Sequence, residues 1–197
     1  MQTLKTLDRV LTCFEAEIVP ATAKSVARGN KVFGAALLRK DTLETVLVGT
    51  NNETENPLWH GEVHTIKLYH ELPLAQRPAP RDLIFVSSHE PCSMCLSAIT
   101  WAGFDNFTYL FTYQDSRDAF AIPHDLKILD EVFGLKDGEY RKKNAFWTGT
   151  SLTEQAAALG EPERARALAR ITAIRDAYAA ISDTYQASKS GNDIPLG

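Results

Sequence analysis

The chain has 197 residues, of which 44% are hydrophobic and 23% are charged. This length and composition suit one globular domain with a substantial core, so no second domain is needed. A formal net charge of −4 repels polyanions, which disfavours nucleic acid as a partner and favours a small molecule as substrate. The apolar stretches are too short to span a membrane and the N-terminus mixes charged with apolar residues, so we expect a cytoplasmic protein.

The chain contains three cysteines, an odd number that argues against a disulfide framework and fits reduced thiols in an intracellular compartment. Cys92 and Cys95 form a C-x-x-C pair. Cys13 lies on the apolar face of the first predicted helix, where a cysteine usually serves as a small buried hydrophobe. We therefore expect chemistry from the pair and none from Cys13.

The N-terminal third of the chain combines helical and extended patterns. Helical spacing of apolar residues predicts a helix over residues 3–19, which Pro20 interrupts or kinks before a second helical piece. Short apolar runs at residues 32–38 and 45–49 then predict a β-hairpin. The turn-forming residues 50–57 predict a polar loop that leads into the next helix.

The middle of the chain alternates between helix and strand. Residues 60–72 predict a helix, residues 83–86 a buried strand, residues 91–101 a helix with a proline in its first turn, and residues 107–111 another strand. Strand, helix and strand at this spacing predict a parallel crossover. We therefore expect a mixed sheet with helices on both faces.

The pattern is less regular beyond the last of these strands. Residues 125–133 predict a helix, and residues 136–149 predict a polar loop. Ser151 and Glu154 have the spacing of a capping box, and a long alanine-rich helix with one apolar stripe follows, up to residue 188. That stripe needs a surface to pack on, either its own domain or a second subunit, and periodicity does not distinguish the two.

A split motif carries the chemistry: His60-Gly61-Glu62 and Pro91-Cys92-Ser93-Met94-Cys95. One imidazole and two thiolates suit a zinc ion that keeps its fourth position for water, and a nearby carboxylate can shuttle protons. Cys92 and Cys95 lie one turn apart on one helix face, where the helix N-terminus favours their thiolate forms. If His60 lies in the first turn of its helix, its side chain and that of Glu62 can both bend towards the metal.

Two other interpretations of these residues are open. A closed structural zinc site would take His64 or His89 as its fourth ligand, but it would leave Glu62 without a role and block the water. A thioredoxin-like redox pair would use the C-x-x-C element, but the strand pattern and the His-x-Glu element do not belong to such proteins. We therefore expect a catalytic zinc.

Residues 60–62 and 90–95 resemble the signature of the cytidine deaminase-like superfamily. The Gly49-Thr50-Asn51 turn is similar to the branch that holds cytosine, guanine and tRNA-adenosine deaminases. The resemblance implies an α/β fold, a three-layer α/β/α sandwich with a five-strand mixed sheet, to which this chain adds the long C-terminal helix. We expect a zinc deaminase domain over residues 1–150, a helical extension of the same domain over 151–188 and a frayed tail over 189–197.

The resemblance also implies the reaction. A Zn²⁺ cofactor held by His60, Cys92 and Cys95, with Glu62 as proton shuttle, would deaminate a nucleobase or nucleoside of cytosine or guanine type and release ammonia. The expected partners are this small molecule and a second copy of the chain in a homodimer, without nucleic acid or membrane. The alternatives are a non-catalytic zinc-stabilised scaffold and a tRNA adenosine deaminase, which would need more than the one basic cluster, residues 141–143.

The substrate contacts are predicted from the same resemblance. In this branch an asparagine after the hairpin binds the base, and guanine deaminases use an acidic residue after the fourth strand. An aromatic pair in the 136–149 loop either stacks on the base or anchors the tail. The candidates are Asn51, with Asn52 and Asn56 as alternatives because the loop is short, then Asp115, Asp118, Asp125, Phe146 and Trp147. Gly61, which is alanine in most relatives and glycine in fungal-type cytosine deaminase, points to cytosine.

Overall fold

The structure is a computed structural model that describes residues 4–196, and within that range five strands form one sheet in the order β2-β1-β3-β4-β5. The strands are β1 (Gly34–Arg39), β2 (Thr45–Thr50), β3 (Leu83–His89), β4 (Asn106–Phe111) and β5 (Thr148–Ser151). Strand β1 runs antiparallel to β2 and β3, whereas β3, β4 and β5 are mutually parallel. The predicted hairpin, parallel crossover and five-strand mixed sheet are confirmed.

Eight α-helices surround this sheet in the described part of the chain. They are α1 (Leu4–Cys13), α2 (Val19–Val26), α3 (Gly61–Glu71), α4 (Ser93–Trp101), α5 (Tyr113–Asp118), α6 (His124–Phe133), α7 (Leu152–Ala157) and α8 (Glu163–Ser188). None of the helices between residues 4 and 196 combines the length and the apolar character needed to cross a bilayer.

The two faces of the sheet bury two different sets of side chains. Ala36 and Leu38 of β1 point into a cluster with the apolar residues of α1, α2, α7 and α8. Ala35 and Leu37 point the other way, into a cluster with residues of α3 and α4. Because successive side chains of a strand alternate between faces, a strand that is apolar throughout needs a helical layer on each side. The predicted three-layer α/β/α sandwich follows.

The N-terminal helix continues through Pro20 by changing its hydrogen-bond pattern. Residues Phe14–Ile18 form a π-helical turn, in which the Val19 backbone N–H donates to the Phe14 carbonyl five residues earlier. Pro20 then lies in the first turn of α2, where its missing N–H is tolerated. The interruption predicted at Pro20 is thus a local widening just before the proline.

The long helix α8 packs on its own domain. Its buried stripe consists of Ala167, Ile171, Ile174, Tyr178, Ile181, Ser182 and Tyr185, and it contacts α1, α2 and α7. Arg170 adds ion pairs to Asp8 and Glu15 of the N-terminal segment. In the tail that we predicted to be frayed, Ile194 is buried and Asn192 Nδ2 donates to the Gly29 carbonyl, whereas Leu196 is 60% exposed. Its last residue, Gly197, lies outside the described residues.

Strand β5 falls within and just beyond the segment that we predicted to be a loop. It pairs with β4 in parallel, with Phe107 opposite Gly149. A Cβ on Gly149 would lie 2.4 Å from Phe107 Cζ, so glycine is needed for this close approach. The sequence of β5, Thr-Gly-Thr-Ser, has no apolar alternation, so a strand was not predicted here. The strand is short and is held by its backbone pairing with β4.

A buried histidine at the end of β3 predicts how stability depends on pH. His89 is 2% exposed and lies among aromatic rings, with centroids of Phe33, Phe111 and Phe120 at 4.6–4.8 Å. Burial, to which the Arg175 charge adds, lowers the pKa of His89 from 6.5 to about 3. The unfolded chain therefore binds a proton that the folded chain does not, and stability is lost as the pH falls from 6.5 towards 3.

We expect the His89→Phe variant to lose less stability in acid than the wild-type protein. Between about pH 7.5 and about pH 5, the wild type should lose about 2 kcal/mol more than the variant, measured by denaturant unfolding at each pH. The exposed His70 provides the control, since His70→Gln should keep the wild-type slope. If the free energies of unfolding of the wild type and His89→Phe changed equally with pH, the lowered pKa of His89 would not explain the loss of stability in acid.

Candidate functional site

Three potential metal ligands meet at the ends of two helices. His60 immediately precedes α3, Cys92 immediately precedes α4, and Cys95 lies in the first turn of α4. The two Sγ atoms are 3.5 Å apart, and His60 Nδ1 lies 3.6 Å from Cys92 Sγ and 3.9 Å from Cys95 Sγ. In the described part of the chain, the metal-binding group at this point consists of these three residues.

These separations fit a tetrahedral zinc ion. Zinc binds sulfur at about 2.3 Å and imidazole nitrogen at about 2.0 Å, which places ligand atoms of a tetrahedron about 3.5–3.8 Å apart. Three protein ligands leave the fourth position to water or substrate, the arrangement of catalytic rather than structural zinc sites. His60, Cys92 and Cys95 can therefore hold a zinc ion in a site that is open to chemistry.

The closed four-ligand site that we considered is not formed. His64 Nδ1 lies 2.8 Å from the Thr50 carbonyl oxygen, and its ring stacks on Trp59. His89 lies in the aromatic cluster, with Nδ1 2.9 Å from Ser88 Oγ. Neither histidine belongs to the group around Cys92.

The local backbone explains how two sequence segments reach one point. His60 and Cys92 both have extended backbone angles, with ψ of 159° and 170°, and each is the cap residue of the helix that follows. Two helix N-termini therefore face the site and favour anionic ligands there. Contact with the Cys95 thiol, together with His60, holds the pKa of Cys92 well below its usual value against the effect of burial. A Cβ on Gly61 would lie 3.1 Å from the Phe33 carbonyl, so glycine lets α3 begin close to β1.

Glu62 is a buried carboxyl beside the ligands. It is 4% exposed, and Ser87 Oγ donates a hydrogen bond of 2.7 Å to its Oε1. Burial raises the pKa of Glu62, the charge of Cys92 adds to that rise, and the Ser87 hydrogen bond opposes it. A carboxyl held in this way is suited to take up and release a proton.

A polar network that sequence reasoning did not identify lies beside His60, and two of its members, Glu53 and Lys31, line the same cavity as His60. Glu53 Oε1 lies 3.6 Å from His60 Nε2 and 3.0 Å from Lys31 Nζ. Asn51 Nδ2 donates to Glu53 Oε2 at 2.6 Å, and its Oδ1 accepts the Gly61 backbone N–H. Asn51 is fully buried, so its side chain joins the hairpin to the start of α3. The sequence places Glu53 in a polar loop, where a glutamate is normally exposed, so its burial was not predicted.

A cavity of about 380 Å³ opens beside His60 and Cys92. Its walls come from the 57–60 loop, α4, α6 and the C-terminal tail, and the lining side chains include Phe33, Leu58, Met94, Ile122, Ile128, Pro195 and Leu196. Asp125 lines the same cavity, and no hydrogen bond or ion pair from any residue between 4 and 196 reaches its carboxyl group. Burial, together with the Cys92 charge, raises the pKa of Asp125 to about 8.

The other predicted substrate contacts lie outside this cavity. Asp115 caps α5 and pairs with Arg175, whereas Asp118 is exposed and pairs with Arg117. Phe146 is 67% exposed, and Trp147 is buried in the core with Nε1 donating to Thr100 Oγ1. Of the three aspartates, the structure brings Asp125 alone to the site, and Trp147 occupies the position of a core anchor.

The turn that carries the C-x-x-C pair is held by Glu90. This buried carboxylate accepts hydrogen bonds from the Tyr140 hydroxyl at 2.8 Å and from the Tyr113 backbone N–H at 3.3 Å. Lys142 Nζ lies 3.1 Å from Glu90 Oε1 and donates to the Tyr109 hydroxyl. One residue of the basic cluster at 141–143, Lys142, is therefore paired with Glu90, although its side chain is 43% exposed.

Comparison with known proteins gives the family and the fold. The family described as the cytidine and deoxycytidylate deaminase zinc-binding region matches residues 13–111. No curated protein matches the chain at a significant level.

Among solved structures, the chain is similar to the guanine deaminase from Nitrosomonas europaea, with 19% identity, a TM-score of 0.53 and coverage of 86% of this chain and 81% of that one. It is also similar to the guanine deaminase from Bacillus subtilis, with 22% identity, a TM-score of 0.51 and coverage of 89% and 95%. These structural likenesses establish the fold. Because the family match spans the residues that bring His60, Cys92 and Cys95 together, the chain belongs to the cytidine and deoxycytidylate deaminase family and is a zinc-dependent deaminase.

Proposed function

We propose that the protein removes the exocyclic amino group of a free nucleobase of guanine type by hydrolysis and releases it as ammonia. One observation supports the proposal most strongly: the open ligand set lies beside a cavity that presents a carboxyl group, Asp125, to which no residue between 4 and 196 makes a hydrogen bond or ion pair. When it is ionised, a carboxyl group in such a place accepts hydrogen bonds from ring N–H and amino groups. A cation held by His60 and Cys92 would offset the Cys92 charge that helps to raise the pKa of Asp125, and would so favour the ionised form. Guanine has a ring N–H and an amino group side by side on its six-membered ring, on the edge opposite the five-membered ring.

Glu62 is the residue that we assign to proton transfer. Bound zinc would supply Lewis acidity and make a water nucleophilic at neutral pH. The Glu62 carboxylate accepts a proton from the attacking water and gives it to the adjacent ring nitrogen of the substrate. It then delivers the second proton of that water to the amino group, which leaves as ammonia while the carbon keeps the oxygen. Ser87 holds Glu62 in place through its hydrogen bond.

The similar structures from Nitrosomonas europaea and Bacillus subtilis are guanine deaminases, and another similar structure was solved in complex with 8-azaguanine. These names concern those proteins, and they make guanine the first base to test here. Gly61, which pointed to cytosine in the sequence, has a packing explanation in its contact with Phe33. The pairing of Lys142 with Glu90, together with the net charge of −4, favours a small molecule over tRNA.

We expect Asp125→Asn to lower kcat/KM for guanine by about 10- to 100-fold, because an amide in the substrate pocket cannot offer the two acceptor oxygens of an ionised carboxyl group. Most of the loss should lie in KM, and zinc content should stay at the wild-type level. Asp130→Asn on the same helix is the matched control, since Asp130 pairs with Lys136. Equal kcat and KM for the wild type and Asp125→Asn would show that Asp125 does not contact the substrate.

The substrate itself is tested by measuring ammonia release from a panel of compounds. The panel contains guanine, cytosine, adenine, their nucleosides, aminated pterins and triazines, and tRNA. The proposal predicts the highest kcat/KM for guanine. A higher value for cytosine or for tRNA adenosine would replace the proposed substrate, and no release from any compound would favour the zinc-stabilised scaffold.

Three features of the protein stay proposals. We propose a homodimer, for which the 90% exposed Trp101 at the end of α4 offers contact surface, and light scattering would test it. We propose a cytoplasmic location, which the free thiols of Cys13, Cys92 and Cys95 favour. The division into a deaminase domain, residues 1–150, and an extension of that domain, residues 151–188, is likewise a proposal.

A further inference from the structure

Glu53 is the most deeply enclosed charge near the metal centre that the proposed reaction does not use. Its side chain is 1% exposed, although it belongs to the polar loop between β2 and α3. Burying a carboxylate is costly unless charged and hydrogen-bonding partners surround it. Its position therefore needs an explanation from its neighbours.

One neighbour is the far side of the His60 ring. His60 Nδ1 faces the two cysteine sulfurs, while Nε2 lies 3.6 Å from Glu53 Oε1. A histidine that binds a metal through one nitrogen carries its proton on the other, and a carboxylate there fixes both the tautomer and the ring orientation. Glu53 occupies the place of that carboxylate.

A second neighbour ties Glu53 to the start of α3. Asn51 Nδ2 donates to Glu53 Oε2 at 2.6 Å, and Asn51 Oδ1 accepts the backbone N–H of Gly61. Since Gly61 follows His60 directly, the same network sets the position of the His60 backbone. Glu53 thus acts on the ring from one oxygen and on the helix start from the other.

The third neighbour balances the charge. Lys31 Nζ lies 3.0 Å from Glu53 Oε1, and its side chain is 7% exposed. This buried ion pair gives the Glu53 carboxylate a fixed partner, which holds it in place beside the ring.

We propose that Glu53 is a positioning residue for the metal centre: it orients the His60 ring through Nε2 so that Nδ1 is presented to zinc. The inference assumes His60 as a zinc ligand and goes beyond the proposed deamination, because it concerns metal affinity and holds for any substrate.

The test is the zinc dissociation constant of Glu53→Gln, measured by competition with a chromophoric chelator. Loss of a carboxylate behind a ligating histidine weakens metal binding by about 10- to 100-fold. The matched control is Glu55→Gln, two residues away, where the glutamate is exposed and bonded to Asn52. The control should bind zinc as the wild type does, and a Glu53→Gln affinity within twofold of the wild type would overturn the proposal.

Kinetics at saturating zinc separate positioning from substrate contact. If Glu53 acts through His60, excess zinc should restore the KM of Glu53→Gln for the best substrate of the panel. A KM that stays raised at saturating zinc, with unchanged zinc affinity, would make Glu53 a substrate contact and overturn the proposal. Unweakened zinc binding by His60→Ala would overturn it as well, since the ligand that Glu53 is proposed to orient would not bind.

A second variant keeps the test valid if the unpaired Lys31 prevents folding of Glu53→Gln. The double variant Lys31→Met with Glu53→Gln removes both buried charges together, which proteins tolerate better than removal of one. It should show the same loss of zinc affinity, with a circular dichroism spectrum like that of the wild type. Full zinc affinity in this folded variant would overturn the proposal.

Discussion

Replacing Glu62 with glutamine should lower kcat by about a thousandfold or more while zinc stays bound. The amide keeps the size of the side chain and can still accept the Ser87 hydrogen bond, but it cannot take up and return a proton. Because none of the three ligand atoms belongs to Glu62, the metal stoichiometry should not change. Ammonia release and zinc content, measured on the same preparation, check the prediction.

The matched control is Glu71→Gln at the other end of α3. Glu71 is exposed and pairs with Lys67, so its replacement should leave both turnover and zinc content unchanged. Turnover of Glu62→Gln at the wild-type rate would remove Glu62 from the mechanism. Loss of zinc from the variant would show instead that Glu62 supports the metal.

Replacing Cys95 with alanine should reduce bound zinc from about one ion per chain to near zero, and ammonia release should disappear with it. Cys95 is fully buried in the first turn of α4, so no water can take over as a ligand without rearrangement. The folded state should also lose the stabilisation that zinc binding gives, and the melting temperature should fall. Elemental analysis and thermal unfolding check both effects.

Cys13→Ala is the matched control for that variant. Cys13 is also fully buried, but it lies in the cluster between the sheet and the α1 layer, and burial raises the pKa of its thiol to about 12. Its replacement should keep one zinc per chain. If Cys95→Ala also kept one zinc per chain with full ammonia release, the ligand set His60, Cys92 and Cys95 would be wrong.

The metal ligands could be predicted from sequence because their chemistry is local. Cys92 and Cys95 are three residues apart at a helix start, which alone brings two sulfurs to one ion, and His60 belongs to a second helix start with its own loop signal. The central strands could be predicted for the same reason, since β1, β3 and β4 each contain a run rich in apolar residues. The sequence alone did not show that the starts of α3 and α4 meet at one point, because the packing of the sheet brings them together.

The substrate pocket could not be predicted because long-range packing selects its residues. Asp115 and Asp125 follow the same strand, but α5 holds Asp115 against Arg175 of α8, while α6 turns Asp125 into the cavity. No local pattern separates the two aspartates. Glu53 escaped notice for a similar reason, because a glutamate in a polar loop is buried here only by Lys31 and Asn51.

Ammonia release as a function of bound zinc is the most direct test of zinc-dependent deamination by this protein. The protein is stripped with a chelator, zinc is returned in steps, and release from guanine and the rest of the panel is measured at each zinc content. We expect release to rise in proportion to bound zinc and to reach its maximum at about one ion per chain. Full release from the stripped protein, or no release from any compound at one zinc per chain, would contradict it.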